Sequence, residues 1–561
     1  MLGSDTSPGS RDRAELIRAL VRRRKSMDAE YNMWEPHFRE LRDAIQPSRG
    51  RFSLGEDRRS STLNKKIIDG QAQKSLRTMR AGLMAGMTSP SRAWFKLGLY
   101  DQDAMEDPET QAYLHTVQTR MYTVLRGSNI YRVLDAAYGD LGLYGTFCGL
   151  IVDDYEDVIH GYHLPVGLFR IEENDRGVVD VIHRDVRKTV AQVVEMFGIE
   201  NCSTQVQNLY KQNQLYDWVD IHHAIEVRRD RDPMSPLSIN KPFASYYWEK
   251  TESSKFLNIS GYDVNPILAP RWERVEGETW SVSSPAMIAL GDAVQLQQQH
   301  RDKAIAIQYM VKPPLMGPAG FTQRFKHVPG GITTLNVTDL QKGGLRPTHE
   351  VKPDVAALVM DINETRERIR QAFFEDLFLM TAESDRRQVT AREIAERHEE
   401  KLLVLGPVLE SLDHGLLQPI IEATYHYMEQ AGILPEPPEA IQGRPLKVEY
   451  ISLLAQAQRA VGVAAIERTV GFAGSLAQVR PDVLDGLNAD AALREFASQI
   501  GPPPELLHDQ KTIDAIRQER AQQAQQQALM ENAQPLAQAA NLISETAERG
   551  ERGLQNQQRV V

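Results

Sequence analysis

The feature that most constrains this chain is a pair of long helices flanking a short insert rich in helix breakers. Ser284-Pro285 supplies an N-cap and a proline at the first helical position, and helical spacing continues to about Val311. At 1.5 Å per residue that is roughly 42 Å. Lys312-Pro313-Pro314 ends the helix, and Gly and Pro punctuate residues 312–352 around short β-like pieces such as Ile332–Val337. Pro353-Asp354 restarts a helix that runs to about residue 380. Its apolar stripe is Val355, Leu358, Val359, Ile362, Ile369, Phe373, Leu377 and Met380, and its other face carries Asp361, Glu364, Glu367, Arg368 and Glu375. A chain that leaves along one helix and returns along another carries its insert as a tip on a stalk. The stripe has two possible covers, the same subunit or neighbouring copies, and its periodicity fits both.

A polar break, Thr381–Val389, precedes a third long helix. Thr390 to Glu393 reads as a capping box, and apolar positions from Ile394 to Tyr427 line one side to about Gln430. At about 40 residues it would reach roughly 60 Å. Pro407, preceded by Gly406, removes a backbone donor midway and is expected to kink this helix. After Pro435-Glu436-Pro437-Pro438 the pattern reads as alanine-rich and helical to about Phe496, with a boundary at Gly501 to Pro504. Gln and Ala dominate from Gln518 onward, a composition that buries little apolar surface alone.

The N-terminal 50 residues read as helical and arginine-rich around Arg22-Arg23-Arg24-Lys25. Interleaved Asp12, Glu15, Asp28 and Glu30 favour a solvated face over a nucleic-acid patch. Helices are expected over Asn64–Met87 and from Asp107-Pro108 to Arg126-Gly127, with a strand at Ala93–Tyr100 between them. From Tyr144 to about Arg271 the texture turns to β. Strands are read at Thr146–Val152, Phe169–Ile171, Val178–Ile182, Trp218–Val227, Phe243–Trp248 and Phe256–Ile259, with a helix at Val190–Phe197. The expected fold is therefore mixed α+β and helix-dominated.

At 561 residues the chain has room for roughly three to four domains. Its 41% hydrophobic and 25% charged residues are ordinary globular values. Apolar runs stay far below the ~20 residues of a bilayer span, and the first fifteen residues lack the apolar core of a secretory signal. Cys148 and Cys202 are the only cysteines, too few for a disulfide framework or a Cys-rich zinc site. The formal charge of −11 lacks the basic footprint of a dedicated nucleic-acid binder.

Signatures of catalysis are missing. No GxxxxGK[ST] or GxSxG occurs, and His398-Glu399-Glu400 is followed by Leu402 where a zincin helix needs its second histidine. Gly139, Gly142, Gly145 and Gly149 do not make GxGxxG; helix packing and a turn into the next strand account for them better. The one enzyme-like feature is Asp153-Asp154-Tyr155-Glu156-Asp157. Asp153, Asp154 and Glu156 could hold Mg²⁺ for phosphodiester cleavage, and the competing and preferred reading is an acidic turn between strands. His222-His223 adjoin in an expected strand, point to opposite faces and chelate poorly. No catalytic residue, metal or cofactor is expected.

Three stretches carry a resemblance: LRTMRAGLMAGMTSPSRAWFKL (76–97), YGDLGLYGTFCGLIVDD (138–154) and TAREIAERHEEKLLVLGPVLESL (390–412). With them the chain resembles the portal proteins, or head-to-tail connectors, of short-tailed bacteriophages. The likeness is dispersed over about residues 30 to 430. It implies a ring of typically twelve subunits at one capsid vertex, around a channel for double-stranded DNA during packaging and ejection. It implies an α/β wing (1–283, with the long kinked helix 390–432) and a two-helix stem (284–311 and 353–380). A small α/β clip (312–352) would be inserted between the stem helices, with a channel loop at 381–389. A helical crown (440–510) and a Gln/Ala-rich C-terminal extension (511–561), helical or disordered, complete the division. The implied partners are other copies of the chain, DNA, the terminase large subunit, tail adaptor proteins, and scaffolding and major capsid proteins, with no membrane. The implied location is the virion, after assembly in the host cytoplasm.

Within that resemblance Glu383, Asp385, Arg386 and Arg387 are the channel-loop candidates for DNA contact. Arg324, Lys326, Lys342 and Arg346 are the clip candidates for partner or DNA contact. Chemical energy would come from the motor, in keeping with the missing P-loop. Twelve copies at −11 would carry about −132 formally, which favours transit of DNA over its capture. A tail adaptor, an internal core protein or a metal-dependent nuclease are the competing readings.

Overall fold

In the computed structural model, the described residues are 10–56, 65, 67–101, 105, 107–252, 255–313, 315–316, 346–347, 354–379, 404–439, 441 and 446–452, with scattered residues from 454 to 523. The fold is helix-rich and mixed α+β. Residues 1–472 form one unit and residues 473–561 a second, in which the described residues include helical pieces at 473–476 and 516–520.

The core of the first unit is built on three helices: α2 (Gln71–Met87), α3 (Pro108–Gly127) and α4 (Ile130–Tyr144). Asp107 caps α3 by accepting from the Thr110 N–H, and Pro108 occupies the first turn, as the sequence leads one to expect. Helix α4 is buried over most of its length. Gly142 lets it lie against Met79 and Leu76 of α2, where a Cβ would clash. Gly145, at φ +70°, ends α4 in the left-handed region that favours glycine and turns the chain into β2 (Gly149–Asp154). The glycine run is therefore a packing and turn device.

Strand β2 pairs with β3 (Val158–His163) and with β9 (Ile267–Leu268). The acidic run lies at the β2–β3 hairpin, with Tyr155 at its tip fully exposed. A second sheet is an antiparallel meander of β4 (Phe169–Glu173), β5 (Val179–Thr189), β6 (Trp218–Val227), β7 (Phe243–Glu249) and β8 (Phe256–Tyr262). Helix α5 (Val190–Phe197) follows β5 through a complete capping box formed by Thr189 and Gln192. Helix α6 (Thr204–Lys211) packs beside it. In β6 His223 is buried against the Tyr247 ring, while His222 meets Asp185 on the other face.

Two expectations fail for tertiary reasons. The stretch after Pro438 is expected to be helical, but Leu446–Tyr450 is a strand, β10. It pairs antiparallel with β1 (Phe95–Leu99), setting Glu449 opposite Lys96 and Tyr450 opposite Phe95. A partner some 350 residues away overrides the surrounding alanine-rich pattern.

The second failure concerns Arg22-Arg23-Arg24-Lys25, which is not simply a solvated face. Helix α1 (Ser10–Ala44) lies on the meander, with Ile17 and Leu20 packed against Ala224, Trp248 and Phe256. Arg23 reaches Glu172 at 2.8 Å and Glu226 at 3.2 Å. Arg24 is buried, donates to the His183 carbonyl at 2.9 Å, and bridges Asp28 and Asp185. Arg23 and Arg24 are ligands of this protein's own sheet, while Arg22 and Lys25 stay exposed.

That network has a pH signature. Burial would raise the Asp185 carboxyl, but the His222 hydrogen bond and the Arg24 charge outweigh it and hold the carboxyl down to about 2. A depressed carboxyl stabilises the fold above its unfolded value of 3.8 and loses that contribution as pH falls toward 2. Asp185→Asn is therefore expected to cost about 2 kcal/mol at pH 7. Urea midpoints measured across pH should show the gap closing between about pH 4 and pH 2; a gap independent of pH would refute the assignment.

Candidate functional site

The stalk read from the sequence is present as a helical hairpin, α7 (Pro285–Val311) and α8 (Val355–Ala372). Ser284 caps α7 through the Met287 N–H, and Asp354 caps α8 by accepting from the Ala356 and Ala357 N–H groups. Arg368 donates to Asp292 at 2.9 Å, and Gln299 donates to Asp361 at 2.6 Å and to Thr365 at 3.0 Å. As one residue number rises the other falls, so the helices run antiparallel. At the far end Leu315–Met316 pairs with Arg346–Pro347, bringing the two ends of the insert together in a short antiparallel bridge.

The near end of the hairpin is tied to the core. The Gln297 side chain accepts from the Ile68 and Asp69 N–H groups at 2.7 and 2.9 Å and donates to the Asp69 carbonyl at 3.0 Å. In doing so it imitates a paired backbone for the loop that precedes α2. One carboxylate oxygen of Asp69 accepts from Arg366 at 2.9 and 2.7 Å and lies 2.8 Å from His300 Nε2. The other accepts from the Gln71 N–H at 2.8 Å. Asp69 therefore joins the loop, α7 and α8 at one point. Burial works to raise its carboxyl, but Arg366, the Gln71 N–H and His300 together hold it below the ordinary range.

Helix α8 does not run unbroken to residue 380. It ends at Ala372, and Phe374 takes φ +51° before a further helical turn at 375–379. This break reorients the end of the stripe. Phe373, Leu377 and Phe378 are fully buried, and the Phe378 backbone lies close against Gly82 of α2. It also corrects the reading of Glu375, which leaves the charged face and accepts from Ser75 at 2.6 Å and Gln71 at 3.1 Å. Of the remaining charged positions, Asp361 and Arg368 reach α7 through Gln299 and Asp292, while Glu364 and Glu367 point outward. Glu364 lies beside Arg368, and Glu367 pairs with Arg370.

Glu383, Asp385, Arg386, Arg387, Arg324, Lys326 and Lys342 lie outside the described residues, as does His398; Arg346 is described as a strand position only. Gly406 and Pro407 lie in the helical stretch 404–412. Residue 403, whose carbonyl Pro407 would oppose, is outside the described residues. The departure from α geometry that is described comes later, as a π turn at Asp413–Leu417 where Gly415 packs on Pro270. Residues missed from sequence are Asp69, Gln297, His300 and Arg366. Periodicity places them on helices or in a loop but carries no sign that they converge.

The family model described as bacteriophage head to tail connecting protein matches residues 18–507. A relative named portal protein, from Salmonella phage epsilon15, is 38% identical over 529 residues, covering 94% of this chain and 95% of its own. The probable portal protein of Bordetella phage BPP-1 is 40% identical over 517 residues, covering 91% and 93%. Among solved structures, a chain of the virion of a native gene transfer agent particle covers 80% of this chain and 99% of itself, at TM-score 0.37 and 11% identity. At that score the likeness locates no element. The match across residues 18–507, with two relatives near 40% identity over nine-tenths of the chain, makes this protein a member of the head-to-tail connecting, or portal, family of bacteriophages.

Proposed function

We propose that copies of this chain close into a ring, typically of twelve, at one vertex of a phage head, where DNA enters during packaging and leaves on ejection. The observation that carries the reading is the uncovered outer surface of the helical hairpin. Ile362, Ile369 and Phe373 face the chain's own core, whereas Ile288 on α7 and Met360 on α8 are 64% and 73% exposed. Ile305, Met310 and Val311 are exposed with them. Covering such surface contributes roughly 25 cal/mol per Å², and neighbouring hairpins in a ring would supply the cover. Both covers that the sequence leaves open then have a share.

On this reading the hairpin is the stem, the insert 312–352 the clip, and residues 1–283 with the helix to 432 the wing. The clip would meet the terminase large subunit and later the tail adaptors. Scaffolding and major capsid proteins would surround the wing, and residues 440–510 would form the crown. Arg386 and Arg387 in the channel loop, and Arg324, Lys326, Lys342 and Arg346 in the clip, are the cations proposed to touch phosphate or partners. The surplus of acid elsewhere keeps DNA from being held.

Electron micrographs of the purified protein, viewed end-on, should show rings with a central opening. A chain that stays monomeric at every concentration overturns the proposal. The paired variant Ile288→Asp, Met360→Asp is expected to leave the monomer within about 1 kcal/mol of the parent, since both side chains already face water. It should lower the ring fraction at least about tenfold in sedimentation; unchanged rings would remove the hairpin from the contact.

A further inference from the structure

A cavity of about 290 Å³ lies between the β2–β3 hairpin and the five-stranded meander. Strand β5 sends every second residue toward it: Arg184, Val186 and Lys188. A strand face turned inward ordinarily carries apolar residues, so two cations among aliphatic and tyrosine neighbours stand out. Several other arginines of the meander and its cover meet carboxylates: Arg24 meets Asp28 and Asp185, Arg187 meets Asp220, and Arg271 meets Glu173. Arg184 has none among the described residues, nor does Lys188.

The neighbours of Arg184 are neutral. Its Nε donates to His223 Nδ1 at 2.8 Å, and Nη2 lies 3.5 Å from the Tyr247 hydroxyl. Its guanidinium sits 5.6 Å from the Tyr162 ring. Burial, then the charges of Arg184 and His183, push His223 well below the ordinary histidine range. The ring is thus neutral, accepts at Nδ1, and donates from Nε2 to Ser245 at 2.9 Å. It orients the guanidinium without neutralising it. Asp153, the only acid of the lining among the described residues, is exposed at the end of β2. A part-buried guanidinium with no carboxylate among the described residues has donors left over for an anion to complete the site.

We propose that this cavity binds a small phosphate-bearing anion, with Arg184 as the anchoring fork and Lys188 as the second cation. Planar guanidinium groups match tetrahedral oxyanions through paired N–H donors. The volume exceeds what a free phosphate needs, and Tyr162, Phe197 and Tyr262 in the lining suit a planar organic group attached to it. The site does not depend on ring formation.

Calorimetry on the full chain at low ionic strength tests it, with inorganic phosphate, adenosine monophosphate and adenosine as probes. At least one phosphate-bearing probe should bind, and adenosine should bind at least about tenfold more weakly. Tighter binding of the monophosphate identifies an ester, and tighter binding of phosphate the free ion; either keeps the site. Arg184→Gln should weaken binding at least about tenfold, whereas Arg187→Gln, on the same strand but paired with Asp220, should leave it unchanged. Should Arg184→Gln fail to fold, Arg184→Lys keeps the charge without the fork and should bind several-fold more weakly. No binding of either phosphate probe by the parent overturns the proposal, as does equal binding by the Arg184 variant or equal affinity for adenosine.

Discussion

Gly82→Val is expected to destabilise the first unit by about 3 kcal/mol, seen as a lower urea midpoint of its unfolding transition. A Cβ at Gly82 would lie 2.6 Å from the Phe378 carbonyl oxygen and 2.7 Å from its Cα. Both are backbone atoms of the fully buried Phe378, so no side-chain rotation relieves the contact. Helix α2 would have to part from the 375–379 turn, and with it from the end of the hairpin. Gly291→Ala is the contrast. Gly291 lies in α7 with nothing within 4 Å of a built Cβ, so alanine there should stabilise the chain by about 0.5–1 kcal/mol through helix propensity alone. Equal midpoints for the two variants would mean that α2 and the 375–379 turn do not touch as described.

Asp69→Ala has the second large effect, about 2 kcal/mol. Removing one member of a buried ionic junction typically costs 3–5 kcal/mol, reduced here because the Arg366 side chain is 34% exposed. The variant leaves the Gln71 N–H without its acceptor and frees α8 from the loop. A double-mutant cycle with Arg366→Ala should return a coupling of about 1–2 kcal/mol; strict additivity would show that the two residues act separately. Because the Asp69 carboxyl is held low, its contribution is complete above the ordinary carboxylate range and fades as pH falls through its folded value. The expected defect at pH 7 should therefore shrink in acid.

These two sites matter because they are where the hairpin is joined to the rest of the chain. In the proposed ring, motor and tail proteins would act on the insert at one end, while Asp69, Gln297 and Gly82 hold the other. A hairpin loosened at its base would present its outer face less uniformly to its neighbours.

Much of this arrangement could be read from local chemistry. Ser284-Pro285 and Asp107-Pro108 announce helices because N-cap oxygens and N1 prolines satisfy or remove donors that no intrahelical carbonyl can reach. The β-rich run Trp218–Val227 marks a strand and Val190–Phe197 a helix, because each signal lies within a few residues. Local chemistry cannot say what a charge will meet. Arg23 and Arg24 look solvated until the meander brings up Glu172, Glu226 and Asp185 from more than a hundred residues away. Glu375 looks like one more outward acid until the backbone reverses sign at Phe374 and turns it onto Ser75. Leu446–Tyr450 lacks any strong reason to be a strand until Phe95–Leu99 offers an edge.

Many of the helices, most strands, the breaks that bound the insert and the family resemblance were thus written in short-range pattern, since capping, periodicity and turn chemistry act over one to seven residues. The junction at Asp69, an Arg184 with no carboxylate among the described residues and the split between covered and uncovered faces of the hairpin came only with the folded chain. Ion pairing and burial are set by distance in space, and residues as far apart as 69 and 366 become neighbours only when the whole core closes around them.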